Sequence, residues 1–372
     1  MILLVVGPGQ GALRAHEIVR ELAAAGYRVE VIFQPQAELF VGSAGFTSLA
    51  PVVEETTETP EAVIFAPAGA ETLARLARGL GDGPAERAYA SGIRPAVVAP
   101  ELDQATHEHP AVLENVGLLR GDGCRVLKGS GEVIVPPLAV VNGVLNAMGG
   151  SLSGVRVLVT AGGTREPIDS VRFVGNRSSG KMGRAVAREA YRLGAEVIVV
   201  AANVEEKEPG VRWVGVESYA EMEEATTRLA GEVDALVMAA AISDFTPSEM
   251  SEGKIRRGGT KELDLKLVAT GDILKVVREA NPELFMVGFA ATHGDPVPDA
   301  REKLESKNVD LMVGNDISLS GSGFGYDENE VYIVGRGGAR ERFVPRAAKS
   351  EVARAILDAL IKEIGEKKVR KD

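Results

Sequence analysis

The stretch from Val155 to Gly183, VRVLVTAGGTREPIDSVRFVGNRSSGKMG, combines residue types that together handle phosphate. An apolar strand runs into a glycine-rich loop, a long polar segment follows, and Ser178-Ser179-Gly180-Lys181 opens a helix. The first N–H groups of a helix lack intrahelical partners and sit at the positive end of its dipole, so beside a lysine they suit an anion. Gly162, Ser178, Ser179, Gly180 and Lys181 are therefore the expected contacts of a nucleotide. The pattern resembles a P-loop without being one. Gly175-x-x-x-x-Gly180-Lys181 fits seven positions of G-x-x-x-x-G-K-[ST], but Met182 stands eighth, and a thioether does not hold Mg²⁺ as a hydroxyl does. Gly180 also lies 20 residues beyond Thr160, where the strand ends, whereas a P-loop joins strand to helix directly. On local features alone two readings stand: a phosphate cradle, or turn glycines beside a solvated lysine.

The elements that must position these residues are α/β. In the first half, strands are expected at Ile2 to Val6, Arg28 to Phe33, Ala62 to Ala66 and Ala96 to Ala99, with helices at Leu13 to Ala25, Ala70 to Gly79 and Leu138 to Met148. Strands in the second half are expected at Val155 to Thr160, Glu196 to Ala201, Ala235 to Ala239, Phe285 to Phe289 and Leu311 to Gly314. The helices between them are Gly180 to Leu193, Ala220 to Leu229, Ile273 to Ala280 and Ala300 to Lys307. Such alternation predicts two doubly wound, mainly parallel sheets, the first flavodoxin-like and the second Rossmann-like. Val331 to Val334 and Arg342 to Val344, joined by Gly335 to Gly338, read as a hairpin. Val352, Ile356, Leu357, Leu360, Ile361 and Ile364 recur at helical spacing and predict core packing. The expected domains are 1–148 and 155–372, with the glycine-rich 149–154 as a linker.

Composition narrows the partners. The chain has 372 residues, enough for two domains, and its net charge of −11 repels nucleic acid and anionic lipid, so an anionic ligand needs a local cluster of bases. The lone cysteine, Cys124, excludes an internal disulfide framework, and the opening MILLVV reads as a strand rather than a leader. No run approaches the ~20 apolar residues of a membrane span. The expectation is a soluble, cytoplasmic protein.

A resemblance covers Val155 to Arg336. TAGGTREPID (Thr160 to Asp169), VRFVGNRSSGKMG (Val171 to Gly183), AAAISDF (Ala239 to Phe245), KIRR (Lys254 to Arg257), GFAA (Gly288 to Ala291), the pairs Lys307 to Asp310 and Asn315-Asp316, and GFGYDEN (Gly323 to Asn329) appear in order. This half resembles phosphopantothenate-cysteine ligase, a coenzyme A biosynthetic enzyme usually fused behind a flavin-dependent decarboxylase. The resemblance implies activation of the 4′-phosphopantothenate carboxylate by a nucleotide, CTP in most microbial members, with release of pyrophosphate. The amine of L-cysteine then attacks the acyl nucleotidylate. It implies Mg²⁺ and a homo-oligomer, at least a dimer. Lys254 is the implied cation against the triphosphate, in the polar, glycine-flanked segment Ser248 to Glu262 that reads as a lid; without the resemblance that segment reads as a solvated loop. Arg256 and Arg257 stand where the family has lysines. Asn176 is the implied handler of the acyl nucleotidylate and Arg172 a contact of the substrate phosphate or carboxylate. Asp244 follows a strand end, where α/β sheets place ligands, and holds either Mg²⁺ or the nucleotide; both roles stay open. Ala240 and Phe289 are implied to line the base pocket, and Lys303 and Lys307, four apart on a helix, to meet phosphate. Thr292-His293 departs from the family's glutamate and leaves that wall undefined.

The first half keeps the family frame at Ala66-Pro67-Ala68 and Leu73 to Asp82 and departs in its chemistry. Val53 occupies the place of a catalytic histidine. Pro100-Glu101-Leu102-Asp103 replaces P-A-M-N, which puts Asp103 at the asparagine. Cys124 lies near the flap position, but Arg125-Val126 and Glu132-Val133 replace Gly-Asp and Arg-Met around Gly129-Ser130-Gly131. The loop GPGQGA (Gly7 to Ala12) lacks hydroxyls for a flavin phosphate, although its backbone N–H groups suit an anion. FMN, which the resemblance implies, is therefore doubtful, and this half reads as a scaffold retained for oligomerisation. The alternative is a bifunctional enzyme that also decarboxylates phosphopantothenoylcysteine with FMN. A non-catalytic nucleotide sensor is opposed by Lys254 and Asn176, and a nicotinamide oxidoreductase by the absence of G-x-G-x-x-G after Thr160.

Overall fold

The computed structural model describes the chain except residues 57, 129–133, 257–261, 320–322, 324, 337–340 and 370–372, and describes no side chains over 366–369. Arg257, Phe324, the Gly129-to-Val133 flap residues and Gly337-Gly338 of the expected hairpin turn lie outside the described residues. The chain divides into two compact units, Met1–Gly150 and Ser151–Asp372.

In the first unit, β1 (Ile2–Val6), β2 (Val29–Phe33), β3 (Ala62–Ala68), β4 (Ala96–Pro100) and β5 (Arg125–Val126) form a parallel sheet of order β2-β1-β3-β4-β5. That is the flavodoxin-like order. The helices are α1 (Ala15–Ala24), α2 (Ala70–Ala77), α3 (Pro84–Ala90), α4 (Gln104–Glu108), α5 (Pro110–Gly121) and α6 (Pro137–Met148). The β1 run ILLVV is buried throughout, because helices cover both faces of the sheet, and the two resulting cores hold Leu4 with Val19 and Leu22, and Val5 with Leu73 and Leu119. The short helices α3 and α4 escape a periodicity search, and so does the 12-residue α5, whose Leu113 and Leu118 lie exposed outside its buried face of Val112, Val116 and Leu119. Proline at the first position of α3 and α5, where a missing N–H costs nothing, was their available signal.

In the second unit, the main sheet contains β6 (Arg156–Gly162), β9 (Glu196–Ala202), β10 (Arg212–Val216), β11 (Ala235–Met238), β14 (Phe285–Thr292), β15 (Leu311–Asp316), β16 (Glu328–Gly335) and β17 (Glu341–Ala348). Two small antiparallel ribbons stand apart from it: β7 (Arg165–Pro167) with β8 (Phe173–Gly175), and β12 (Phe245–Pro247) with β13 (Leu267–Ala269). The main order is β10-β9-β6-β11-β14-β15-β16-β17, the first six parallel and the last two antiparallel. Numbered along the chain, the parallel part runs 3-2-1-4-5-6, the Rossmann order, and the hairpin extends its edge. Helices α7 (Lys181–Arg192), α8 (Tyr219–Ala230), α9 (Ile273–Ala280), α10 (Pro296–Ser306) and α11 (Lys349–Val369) cover the faces. On α11, Val352, Ile356, Leu357 and Leu360 are fully buried beside Val186 and Ala190 of α7, with Ile361 and Ile364 partly buried. Leu152, expected in a flexible linker, is 1% exposed in this core and its N–H donates to Leu193 O at 3.0 Å. A single apolar residue between glycines gives no periodicity from which to infer that. Among the described residues no helix is long and apolar enough to cross a membrane.

Candidate functional site

The parallel order reverses direction beside β6, and the carboxyl ends of β11, β14 and β15 open onto a cavity of about 640 Å³. Ligands of open α/β sheets collect at such a switch point. Ten of the residues expected from sequence line the wall: Asn176, Ser178, Ser179, Gly180, Lys181, Ala240, Asp244, Phe289, Lys303 and Lys307.

The loop before α7 explains how its first turn faces the cavity. Gly180 takes a left-handed conformation with φ of 75°, and a Cβ there would stand 2.6 Å from Val204 Cγ2 and 3.2 Å from Gly162 N. Only glycine fits both the dihedral and the close approach. No side chain caps α7, so its first N–H groups stay available to an anion.

Four lysines face the cavity, from α7 (Lys181), α10 (Lys303), the residue closing α10 (Lys307) and the start of α11 (Lys349), against two aspartates, Asp244 and Asp272. The local balance is thus basic in a chain of net charge −11. Lys181 is already engaged: its Nζ donates to Asp327 at 2.6 Å and to Gly325 O at 3.1 Å, and that bond holds the Asp327 carboxyl below its ordinary range. Lys303 pairs with Asp299 at 2.9 Å and Lys307 with Asp272 at 3.3 Å. These half-exposed pairs are weak and exchangeable for a ligand phosphate. Asn176 donates one amide hydrogen to Ile242 O at 2.8 Å, leaving the second free among the described residues.

Three expected residues are not on the wall. Gly162 lies behind it, where its own Cβ would fall 1.9 Å from Ala202 O, and what it visibly provides is close packing under Gly180. Arg172, expected to meet substrate, has its guanidinium taken by Asp169 and by Ile255 O at 2.8 Å; the same contact keeps the Asp169 carboxyl far below its ordinary range. Asp169 Oδ2 also accepts from Ile255 N at 3.0 Å, and Ser251 N donates to Ile168 O at 3.1 Å. Arg172 and Asp169 therefore anchor the segment carrying Lys254. Lys254 itself is exposed, lies outside the cavity lining, and pairs with nothing among the described residues. His293 is exposed at the end of β14 and outside the lining, whereas Ala291 of the same strand is on it.

Sequence reasoning missed Lys349 and Asp272, and named Asn315 and Asn329 only within motifs, without a role. Lys349 is 7% exposed, and its ammonium donates to Gly323 O at 3.0 Å and to Tyr326 O at 2.5 Å. Burial, aided by Lys181, lowers its pKa from 10.5 to about 8. Its signal was a lysine as the first residue of a helix, where the dipole disfavours a cation and a buried partner must compensate.

Residues 152–364 match the family described as the DNA/pantothenate metabolism flavoprotein C-terminal domain, and residues 1–149 the family described as Flavoprotein. The coenzyme A biosynthesis bifunctional protein CoaBC of Mycobacterium tuberculosis (strain ATCC 25618 / H37Rv) is 34% identical over 402 residues, covering 97% of this chain and 96% of the relative. The protein of the same name from Bacillus subtilis (strain 168) is 33% identical, covering 98% of both. The chain belongs to the CoaBC family. A crystal structure of the C-terminal domain of a CoaBC, 35% identical, superposes with a TM-score of 0.50 over 58% of this chain and 99% of its own.

Against the CoaBC frame, the first unit's polar positions have other duties. Val53 is a half-buried apolar residue packed against the sheet core. Asp103 caps α4, accepting from Thr106 N and Thr106 Oγ1 at 2.9 Å each, and those bonds lower its pKa. Cys124 is buried, its thiol donating to Ala96 O at 3.3 Å, and burial pushes it up to about 12. Such a thiol is not a thiolate at neutral pH.

Proposed function

We propose that this protein acts in coenzyme A biosynthesis, its second unit joining 4′-phosphopantothenate to L-cysteine at the cost of a nucleotide triphosphate, CTP by the family resemblance. The observation that carries this reading is the cavity at the switch point, where the uncapped start of α7 and four lysines face one space. A carboxylate does not form an amide unaided, because oxide is too poor a leaving group. The carboxylate oxygen attacks the α-phosphorus, pyrophosphate leaves with the bonding pair, and the acyl nucleotidylate forms. The cysteine amine then attacks the acyl carbon, the nucleoside monophosphate departs, and the amine loses a proton.

The α7 N–H groups with Ser178 and Ser179 receive phosphate, and Lys181, Lys303, Lys307 and Lys349 offset charge that moves toward pyrophosphate. Ala240 and Phe289 border the base. The second amide hydrogen of Asn176 meets the oxyanion as the amine attacks. Lys254, on a segment anchored by Arg172 and Asp169, closes over the triphosphate. Among the described residues no three acidic, histidine or cysteine side chains gather to hold a metal. Mg²⁺ needs no such cage when phosphates supply the other ligands, and the exposed Asp244 fits as its single carboxylate. Bound there, Mg²⁺ supplies charge neutralisation at the triphosphate.

The first unit serves as a scaffold in this reading, supported by Val53, the capping duty of Asp103 and the buried Cys124. The family match at residues 1–149 favours the bifunctional alternative, with FMN-dependent decarboxylation of phosphopantothenoylcysteine. Purified full-length protein supplied with CTP and Mg²⁺ should release pyrophosphate only when 4′-phosphopantothenate is present, and should release more than about one equivalent per site only when L-cysteine is added as well. Release that ignores phosphopantothenate, sustained turnover that ignores cysteine, or no release with any nucleotide, would sink the ligase reading.

A further inference from the structure

The glycine loop of the first unit, Gly7 to Gly11, leaves the carboxyl end of β1, where a phosphate-bearing cofactor would be received. Its donors are occupied by the protein itself. Glu101, the residue after β4, accepts from Gln10 N at 2.8 Å through Oε1 and from Gly11 N at 2.9 Å through Oε2. Two oxygens of one anion on two successive backbone N–H groups is how such a loop holds phosphate. The fit is close, since a Cβ on Gly9 would stand 2.5 Å from Oε2 and one on Gly11 2.9 Å from the same atom.

Among the described residues the hollow beside this contact is too small for a flavin. The space between the loop, Glu101 and the start of α6 is about 10 Å³, enough for a single water, against ~300 Å³ or more for cofactor pockets. Above β2, Gln34 Nε2 donates to Glu86 at 3.0 Å and Thr72 Oγ1 to Gln34 at 2.9 Å, filling the same edge. Two wider hollows, bordered by Pro60 and Ile93 and by Gly92 and Arg94, lie before β3 and β4, at the amino ends of the strands. The FMN that the family implies therefore does not fit these residues.

We propose that Glu101 is a built-in anion that permanently occupies the glycine loop and closes the flavin phosphate site from within. The proposal deepens the scaffold reading of the first unit and does not depend on the ligase reading. The test uses full-length protein labelled with ¹⁵N-glycine, titrated with inorganic phosphate and separately with FMN. Wild type should leave FMN fluorescence unquenched and the Gly11 amide resonance unmoved by phosphate. In Glu101→Ser the Gly11 resonance should move saturably, with at least about tenfold higher phosphate affinity than wild type, as expected for freeing two N–H groups from a charged acceptor. Glu101→Gln, which keeps the volume and one acceptor oxygen, should respond between the two and serves if the serine variant does not fold. Stoichiometric FMN binding by wild type, equal phosphate response of wild type and variants, or no response in folded variants would each overturn the proposal. Pyrophosphate release should be unchanged in both variants; its absence from wild type as well would indict the ligase reading and leave the Glu101 result standing.

Discussion

Asn176 and Lys349 show what single side chains decide here. Asn176→Asp places a negative charge where an oxyanion must develop, so activation of the carboxylate should continue while amide formation stalls. Quenched reactions with labelled CTP should then show acyl nucleotidylate by mass spectrometry; product formed at the wild-type rate without a trapped species would remove Asn176 from this step. Lys349 titrates at about 8 because burial disfavours its charge. Between that value and the ordinary 10.5 the unfolded chain keeps a proton the folded chain has lost, so stability should rise with pH across the window. Ligase rate should fall over the same window, because a neutral amine no longer offsets phosphate charge. A pH profile of kcat/KM should have a descending limb near 8 that Lys349→Arg moves out of range, while the thermal midpoint of wild type climbs. A flat profile in both proteins would exclude Lys349 from the phosphate site. Asn176 was legible because a run of motif residues surrounds it. Lys349 was less so, since its one local mark is a cation at the start of a helix, and its burial depends on Gly323 and Tyr326, more than twenty positions away.

At the scale of elements, the segment leading to Lys254 is held by the turn between β7 and β8 rather than by the main sheet. Arg172 reaches Ile255 O across 83 positions of sequence, a contact no local pattern announces. The positions expected to touch ligand thus separate into wall residues and an anchored arm. Lys254→Gln should lower pyrophosphate release by about 10²-fold or more if the arm delivers its cation to the triphosphate. The thermal midpoint should stay unchanged, since Lys254 is exposed and pairs with no described residue. Release near the wild-type rate would mean the arm plays no part in the chemistry. The strand and helix runs themselves were readable because they follow from side-chain periodicity. The ribbons were not, being three-residue strands whose pairing depends on packing.

For the whole molecule, each unit carries its own sheet and its own cores, so each should stand alone. A fragment Ser151 to Asp372 should retain ligase activity within about threefold of the full chain, because every residue placed in that chemistry belongs to it and distant, independent changes leave one another nearly untouched. A fragment Met1 to Gly149 should be colourless and release no CO₂ from phosphopantothenoylcysteine. Bound flavin with measurable CO₂ from that fragment would move the protein to the bifunctional class.

The sequence by itself determined two α/β units, the strands of both sheets except the edge strands β5 and β10, and the family of the chain. Those follow from patterns a few residues long and from motifs kept in order. Only the tertiary structure decided which charges meet. Glu101 lies 90 positions from Gly11, and Lys181 lies 146 from Asp327. Strand order brings these partners to one edge of a sheet, and strand order is set by how layers pack, which no short window of residues encodes.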